Sequence, residues 1–272
     1  MTSSRTADAA QLLALAVATA REAAALVRRG RATAARQVDV KSSPVDVVTA
    51  VDTASEHLIV GRLLGARPDD GILGEEGAER PGTSGVRWVV DPIDGTVNFL
   101  YGLPAHAVSI AAEVDGVVRA GVVLDIGTGE LFTAVSGGGA FLTSAAAAEP
   151  VRLTGSRPPS LEQSLVATGF GYRVEQRRAQ GAVVAELLPR VRDIRRHGSA
   201  ALELCAAAAG RLDAYYESGL QPWDHAAGAL IAAEAGLVVS GLAGRPVGDP
   251  LVVAVAPTVA RPLLDLLTEL HR

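Results

Sequence analysis

The sequence predicts an α+β / α/β layered sandwich, in which sheets alternate with layers of helix. Three observations predict it. The chain has 272 residues, 49% of them hydrophobic, enough for one large domain or two halves packed closely on an extensive core. Its first half carries a run of β segments joined by short turn signals, the pattern of an antiparallel sheet. Beyond a Ser/Arg/Pro-rich stretch at residues 154–160, short strands alternate with helical segments, the pattern of sheets covered by helices. The boundary is expected near residue 150, giving an N-terminal α+β half (1–150) and a C-terminal α/β half (151–272) that share an interface.

In chain order, a helix is expected over 8–29, where Leu13, Val17, Ala20, Ala24 and Val27 recur at intervals of four and three and form one apolar stripe. The run QLLALAVATA inside it imitates the end of a signal peptide at Ala18-Thr19-Ala20. Asp8 precedes it, Arg5 is the one basic residue ahead of it, and the helical pattern continues past it, so it reads as a helix of the fold. No segment reads as long and apolar enough to span a membrane. A second helix is expected over 45–64, stopped by Gly65 and the Pro68-Asp69-Asp70-Gly71 turn. Ile72-Leu73 and Val86 to Val90 read as short buried strands. Residues 107–125 read as a hairpin around Asp115-Gly116, a strong hairpin signal. GELFTAV and the Gly137-Gly138-Gly139 turn into AFL extend that sheet. Later strands are expected at 165–170, 193–198, 212–217, 237–240 and 251–256, alternating with helices at 174–189, 199–210, 224–235 and 258–270.

The formal net charge is −5 and the basic residues are scattered, apart from pairs such as Arg28-Arg29, Arg177-Arg178 and Arg195-Arg196. That excludes the basic footprint of a nucleic-acid binder. Cys205 is the single cysteine; it sits in the helical run ALELCAAAAG and is expected to be a buried packing residue. With no internal disulfide possible, a cytoplasmic location is expected.

The chemistry is concentrated where strands end. In WVVDPIDGTVNF an apolar strand runs into Asp91 and Asp94, followed by Gly95, Thr96 and Asn98. Pro92 fixes its own φ and offers no competing donor, so the turn can aim both carboxylates and the Ile93 carbonyl into one space. Such a cluster needs a trapped proton or bound cations, and an all-oxygen donor set suits Mg²⁺ beside a phosphate. An Asx turn with Asp94 capping a helix is the alternative use of the same residues. Glu75 and Glu76 form a second acidic pair after a short strand, and Asp224 opens a helix in PWDHAAG.

Together with KSSPVDVVTAVD (41–52), the stretches GEE, DPIDGT-NF, GSAALELC, LDAYYE and WD-AAG-LI--EAG resemble the inositol monophosphatase family of metal-dependent, lithium-sensitive phosphatases, from Lys41 to Gly236. The resemblance implies the layered sandwich with the site between two halves. It places the metal ligands on Glu75, Asp91, the Ile93 carbonyl, Asp94 and Asp224, holding two or three Mg²⁺ ions. Thr96 would activate the attacking water, Asp52 would orient the Thr96 hydroxyl, and Glu75 would also hold the water. The Gly95 and Thr96 amides would bind phosphate oxygens. Lys41, otherwise an ordinary surface lysine, would balance charge near Glu75 and Asp52.

The implied substrate is a small phosphate monoester. Glu217 would accept hydrogen bonds from a pair of ring hydroxyls, with Gly198, Ser199, Ala200 and Asp224 lining the same pocket; otherwise Glu217 is a solvated residue at a strand end. Inositol 1-phosphate is favoured, with histidinol phosphate, fructose 1,6-bisphosphate or a nucleotide 3′-phosphate as alternatives. Val97 stands where a second threonine is common in the family, and Tyr172 in Phe170-Gly171-Tyr172-Arg173 bears on which sugar fits. His106, His197 and His225 lack paired ligand spacing and are expected to be structural or at the rim. No nucleic acid or membrane partner is expected, and a homodimer is. Some family members partner the transcription machinery, so a regulatory interaction protein with minor catalysis is the alternative from a different class.

Overall fold

This computed structural model describes residues 8–34, 38–40 and 47–271. The elements are α1 (Ala9–Ala34), β1 (Val38–Val40), β2 (Val47–Thr49), α2 (Ala50–Ala66), β3 (Gly71–Gly74), β4 (Glu79–Arg80), β5 (Val86–Asp94), α3 (Thr96–Tyr101), β6 (Ala107–Val114), β7 (Val117–Asp125), β8 (Leu131–Val135), β9 (Gly139–Thr143) and β10 (Val151–Arg152). They continue with β11 (Leu165–Thr168), α4 (Val174–Leu187), β12 (Asp193–Arg195), α5 (Ala200–Ala208), β13 (Ala214–Ser218), α6 (Pro222–Glu234), β14 (Val238–Ser240), β15 (Leu251–Val255) and α7 (Ala260–Leu270).

Strands β3 to β10 form an eight-stranded sheet in the order β10-β9-β8-β7-β6-β5-β3-β4, and a second sheet has the order β12-β11-β13-β15-β14. The first is antiparallel except where β3 runs parallel to β5. The Asp115-Gly116 turn between β6 and β7 has φ of 51° and 78°, the left-handed pair that a two-residue hairpin of the right twist requires.

Helices α1 and α2 cover one face of the large sheet, where Leu12, Ala20, Val27, Ile59 and Leu63 pack with Trp88, Val90, Ile110 and Val122. Between the two sheets lie α5 and α6: Leu204, Ala227 and Ile231 pack with Val89, Ala111 and Phe132 of the large sheet and with Tyr215 and Val252 of the small one. The outer face of the small sheet is closed by α4 and α7 through Val183, Leu187, Leu263 and Leu267 against Val166, Tyr216 and Val253. This is the layered sandwich. It explains why β5 is buried at every position from Trp88 to Asp94: a strand covered by helices on both faces has no solvent side to mark by alternation.

Three expectations need correction. The second helix begins at Ala50, because Val47–Thr49 pair as a strand with β1 and Thr49 is the N-cap, with Asp52 completing a capping box. In the first half of α1 the buried stripe is Leu12, Ala16 and Ala20; Leu13 and Val17 flank it, half-buried. Ala9–Arg31 is also long and apolar enough to cross a membrane by length and composition, against the expectation that no segment is. Its apolar residues lie against α2, β6 and β7, the place of a core helix. Cys205 is fully buried, and burial pushes its thiol well up from the ordinary value.

Candidate active site

The ends of β3 and β5 lie side by side because Gly74 pairs with Val90 in the parallel ladder. The turn after β3 carries Glu75, whose N–H donates to the Val90 carbonyl at 3.2 Å. One residue beyond Val90 comes Asp91. The pairing of β5 with β6 is regular to Asp91↔Ser109 and resumes at Asp94↔Ala107, so the Pro92-Ile93 segment bulges from the sheet. Within it Asp91 Oδ1 accepts the Ile93 N–H at 3.0 Å, the Asx turn expected of an Asp-Pro-x sequence.

Asp94 does not cap the helix that follows it. Its Oδ2 accepts the Ser199 hydroxyl at 2.6 Å and the Ala201 N–H at 2.7 Å, at the start of α5. Ser199, the N-cap of α5, accepts the Leu202 N–H in turn. Gly95 is the residue before α3, at φ 95°, and a Cβ there would lie 2.7 Å from the Ala105 carbonyl oxygen; only glycine fits this turn. Asn98 ties α3 in place by donating to the carbonyls of Ala105 at 2.7 Å and His197 at 2.6 Å.

Thr96 Oγ1 lies 3.1 Å from Asp52 Oδ1 and 3.1 Å from the Ile93 carbonyl oxygen. Asp52 is fully buried. Its other oxygen accepts the Thr49 N–H at 2.9 Å and the Thr49 hydroxyl, so its carboxylate is held from both sides. Asp224 sits in the first turn of α6, half-buried, with Oδ2 accepting the Gln221 N–H at 2.6 Å in a capping box. Glu217 on β13 accepts the Tyr215 hydroxyl at 2.7 Å and packs so closely on Gly169 that a Cβ there would lie 1.8 Å from Glu217 Oε2.

Charge binds these residues into one site. Burial pushes the Asp91 carboxyl well above its ordinary value, and the charges of Glu75, Asp94 and Asp224 push it further the same way. Asp94 rises to about 6, through burial first, with Ser199 and Ala201 opposing. Asp224 rises through burial and then the charge of Asp94. Asp52 rises through burial, opposed by its bonds to Thr49 and Thr96. Among the described residues, no three such side chains are drawn tightly enough to form a closed metal cage. The donor set nevertheless suits hard divalent cations: it is all oxygen, several donors are carboxylates, and burial with neighbouring negative charge opposes ionisation of Asp91, Asp94 and Asp224 until positive charge arrives.

The structure thus brings together Glu75, Asp91, Ile93, Asp94, Thr96, Asp52 and Asp224, with Gly95 and the Gly198-Ser199-Ala200 turn alongside. Lys41 lies outside the described residues. Tyr172 is 44% exposed, in a loop whose Gly171 N–H donates to Gln180 Oε1 at 2.9 Å. His106 bonds the Leu103 carbonyl at 3.0 Å and packs on the Phe99 ring, a structural role. His197 bonds Glu203 through both its N–H and its ring. Burial pushes His225 down to about 4. Sequence reasoning missed Thr49 and Glu56. Thr49 had a readable signal, the Thr-x-x-Asp capping pattern; Glu56 had none, since its partners lie 20 and 22 residues away.

Comparison with known proteins agrees with this geometry. Residues 8–270 match the inositol monophosphatase family model. The chain is 50% identical over 277 residues to the inositol-1-monophosphatase of Mycobacterium leprae, covering 96% of this chain and 94% of that one. It is 40% identical over 235 residues to the protein named Nus factor SuhB of Escherichia coli, covering 86% of each. The solved structure of Mycobacterium tuberculosis SuhB superposes with a TM-score of 0.82 at 46% identity, over 97% of this chain and 98% of that one. Matches of this extent, over a site whose acidic turns and Thr96–Asp52 pair are in place, show that the chain belongs to the inositol monophosphatase family.

Proposed function

We propose that this chain is a Mg²⁺-dependent phosphomonoesterase that hydrolyses a polyol monophosphate, with inositol 1-phosphate as its favoured substrate. The observation that carries the reading is the burial of Asp91 and Asp94 on one strand-end turn, within electrostatic reach of Glu75 and Asp224 and one glycine before a threonine bonded to a buried aspartate. Family membership implies the Mg²⁺ requirement; Glu75, Asp91, the Ile93 carbonyl, Asp94 and Asp224 are the groups that would hold the ions, two or three in number. Bound there, Mg²⁺ supplies positive charge to the phosphate and Lewis acidity at its oxygens.

The chain's own groups then have separate tasks. The Thr96 hydroxyl has one proton and lies within reach of two acceptors. When that proton points to Asp52 Oδ1, an oxygen lone pair is free to accept from water, and the raised affinity of Asp52 for a proton suits it to receive the one passed on. The oxygen of one water adds to phosphorus as the ester P–O bond breaks, its proton passing through Thr96 to Asp52, and the leaving alkoxide takes its proton from solvent water. The Gly95 and Thr96 amides orient the phosphate. Glu217, held by Tyr215, accepts hydrogen bonds from ring hydroxyls. Asp224 and the Gly198-Ser199-Ala200 turn close the pocket.

A phosphate-release screen over inositol 1-phosphate, histidinol phosphate, fructose 1,6-bisphosphate and a nucleotide 3′-phosphate tests the assignment. Inositol 1-phosphate should give the highest kcat/KM, and millimolar Li⁺ should inhibit, uncompetitively with respect to substrate. A higher kcat/KM on any other ester of the panel would overturn the substrate. The relative named a Nus factor supports a second reading, an interaction role with minor catalysis; a pull-down recovering transcription proteins, with no phosphate release from any ester, would favour it. A homodimer in the cytoplasm is part of the same proposal, and sedimentation of the purified chain checks the dimer.

A further inference from the structure

We infer that Glu56 is a positioning residue that clamps the Glu75 turn, and that α2 thereby sets both the water-activating hydroxyl and one metal-ligand loop from a single face. The inference rests on the assignment of Glu75 as a ligand. Asp52 and Glu56 are one helical turn apart and so project from the same side of α2; Ser55 lies beside them, and all three are buried. Their contacts reach three different parts of the site. Asp52 bonds Thr96, the Ser55 hydroxyl donates to the Pro92 carbonyl at 3.4 Å, and the Glu56 carboxylate spans the turn after β3.

That last contact has two arms. Glu56 Oε2 accepts the Glu76 N–H at 2.9 Å and Oε1 accepts the Ala78 N–H at 3.0 Å, while the Gly74 N–H donates across the same turn to the Ala78 carbonyl at 2.7 Å. A carboxylate accepting main-chain N–H groups through both oxygens fixes position and angle together. The fit also explains Gly74: a Cβ there would lie 2.2 Å from Glu56 Oε2 and 2.8 Å from its carboxyl carbon. Glu75 is covalently between the glycine that the carboxylate rests on and the first amide that it holds. Its side chain is therefore presented from a turn with little freedom, and groups that orient ligands from behind have large effects on metal affinity.

Glu56→Gln and Gly74→Ala test the clamp from its two sides. The first keeps the shape but sets an amide NH₂ against a main-chain N–H; the second keeps Glu56 and displaces its carboxylate. Mg²⁺ titration calorimetry on the full chain should show affinity lowered roughly ten- to hundredfold in each, and by no more in the double variant, since both remove one contact. Hydrogen exchange in the metal-free protein should speed up at the Glu76 and Ala78 amides while the β6 amides keep their protection. Glu75→Gln, run in parallel, should also weaken Mg²⁺ binding. Unchanged affinity in Glu56→Gln and Gly74→Ala beside weakened binding in Glu75→Gln would overturn the clamp and leave the site standing. Weakened affinity without faster exchange at the two amides would overturn it as well. If Glu75→Gln binds Mg²⁺ like the unmodified chain, the ligand assignment falls and the clamp's role falls with it.

Discussion

At the scale of single residues, Thr96 makes the sharpest claim. Its hydroxyl, shared between Asp52 and the Ile93 carbonyl, is removed without change of shape in Thr96→Val. If it relays a proton, turnover should fall by roughly 10²–10⁴ while KM changes little, the usual span for a general acid–base group; steady-state kinetics near those of the unmodified enzyme would show that water is activated elsewhere. Glu217 is tested by substrate choice. In assays above pH 7, where its carboxyl is ionised, Glu217→Gln removes a charge-assisted acceptor worth roughly 1.5–3 kcal/mol, so kcat/KM for inositol 1-phosphate should fall about ten- to a hundredfold, while hydrolysis of p-nitrophenyl phosphate, which lacks the hydroxyls, changes little. Equal losses on both esters would place Glu217 in the catalytic machinery.

Glu217 also has a pH signature. Burial raises its carboxyl from 4.5 to about 7, with the Tyr215 hydroxyl and the Arg196 charge opposing. The folded chain then keeps a proton that the unfolded chain releases, so this group's contribution to stability is complete below pH 4.5 and is lost as pH rises through 7. Melting of the metal-free protein should accordingly show Glu217→Gln gaining on the unmodified chain across that window; a constant gap would contradict the shift. That buried carboxylates gather at this strand end was readable, because Asp-Pro-Ile-Asp announces itself there. What Asp94 binds was not, because Ser199 and Ala201 are 105 and 107 residues away.

At the scale of elements, helices and strands follow their patterns where one face is buried, and the boundaries fail where a polar side chain decides them. The valines of Val45-Asp46-Val47-Val48 continue smoothly into α2, so the apolar pattern extends the helix backward; the Thr49–Asp52 capping box sets its start at Ala50 instead. The start of α3 depends on the left-handed Gly95. Gly95→Ala should cost about 1–2 kcal/mol from its backbone alone, with more from the approach to the Ala105 carbonyl, and should displace the Thr96 hydroxyl. A lower Tm together with lost turnover is the expected outcome, and an alanine variant with full activity would show that the turn tolerates a Cβ.

At the scale of the whole molecule, the site exists because the middle layer is shared. Asp91 and Asp94 come from the large sheet, while Asp224 stands at the start of α6, which packs on that sheet, and Asp94 is bonded to the start of α5. Close packing sets the spacing: a Cβ on Gly121 of β7 would lie 3.1 Å from Ala227 Cα and 3.1 Å from its carbonyl oxygen. Gly121→Val should push α6 outward, cost about 1–3 kcal/mol as overpacking does, and weaken Mg²⁺ binding through Asp224, three residues from the contact. Calorimetry showing a lower Tm with unchanged Mg²⁺ affinity would separate the helix position from the site. The layer order itself was visible in the alternation of segments, but the pairing of α6 with the first-half sheet was not, since no local pattern specifies which sheet a helix covers.

The most direct measurement is phosphate release from inositol 1-phosphate by the unmodified chain and by Asp94→Asn, each with Mg²⁺ and after exhaustive chelation. The unmodified chain should turn over only with Mg²⁺, and Asp94→Asn should lose most of that Mg²⁺-dependent turnover while circular dichroism shows the fold retained. Undiminished release from the chelated protein, or turnover by Asp94→Asn equal to that of the unmodified chain, would contradict a metal-dependent site built on the Asp91–Asp94 turn.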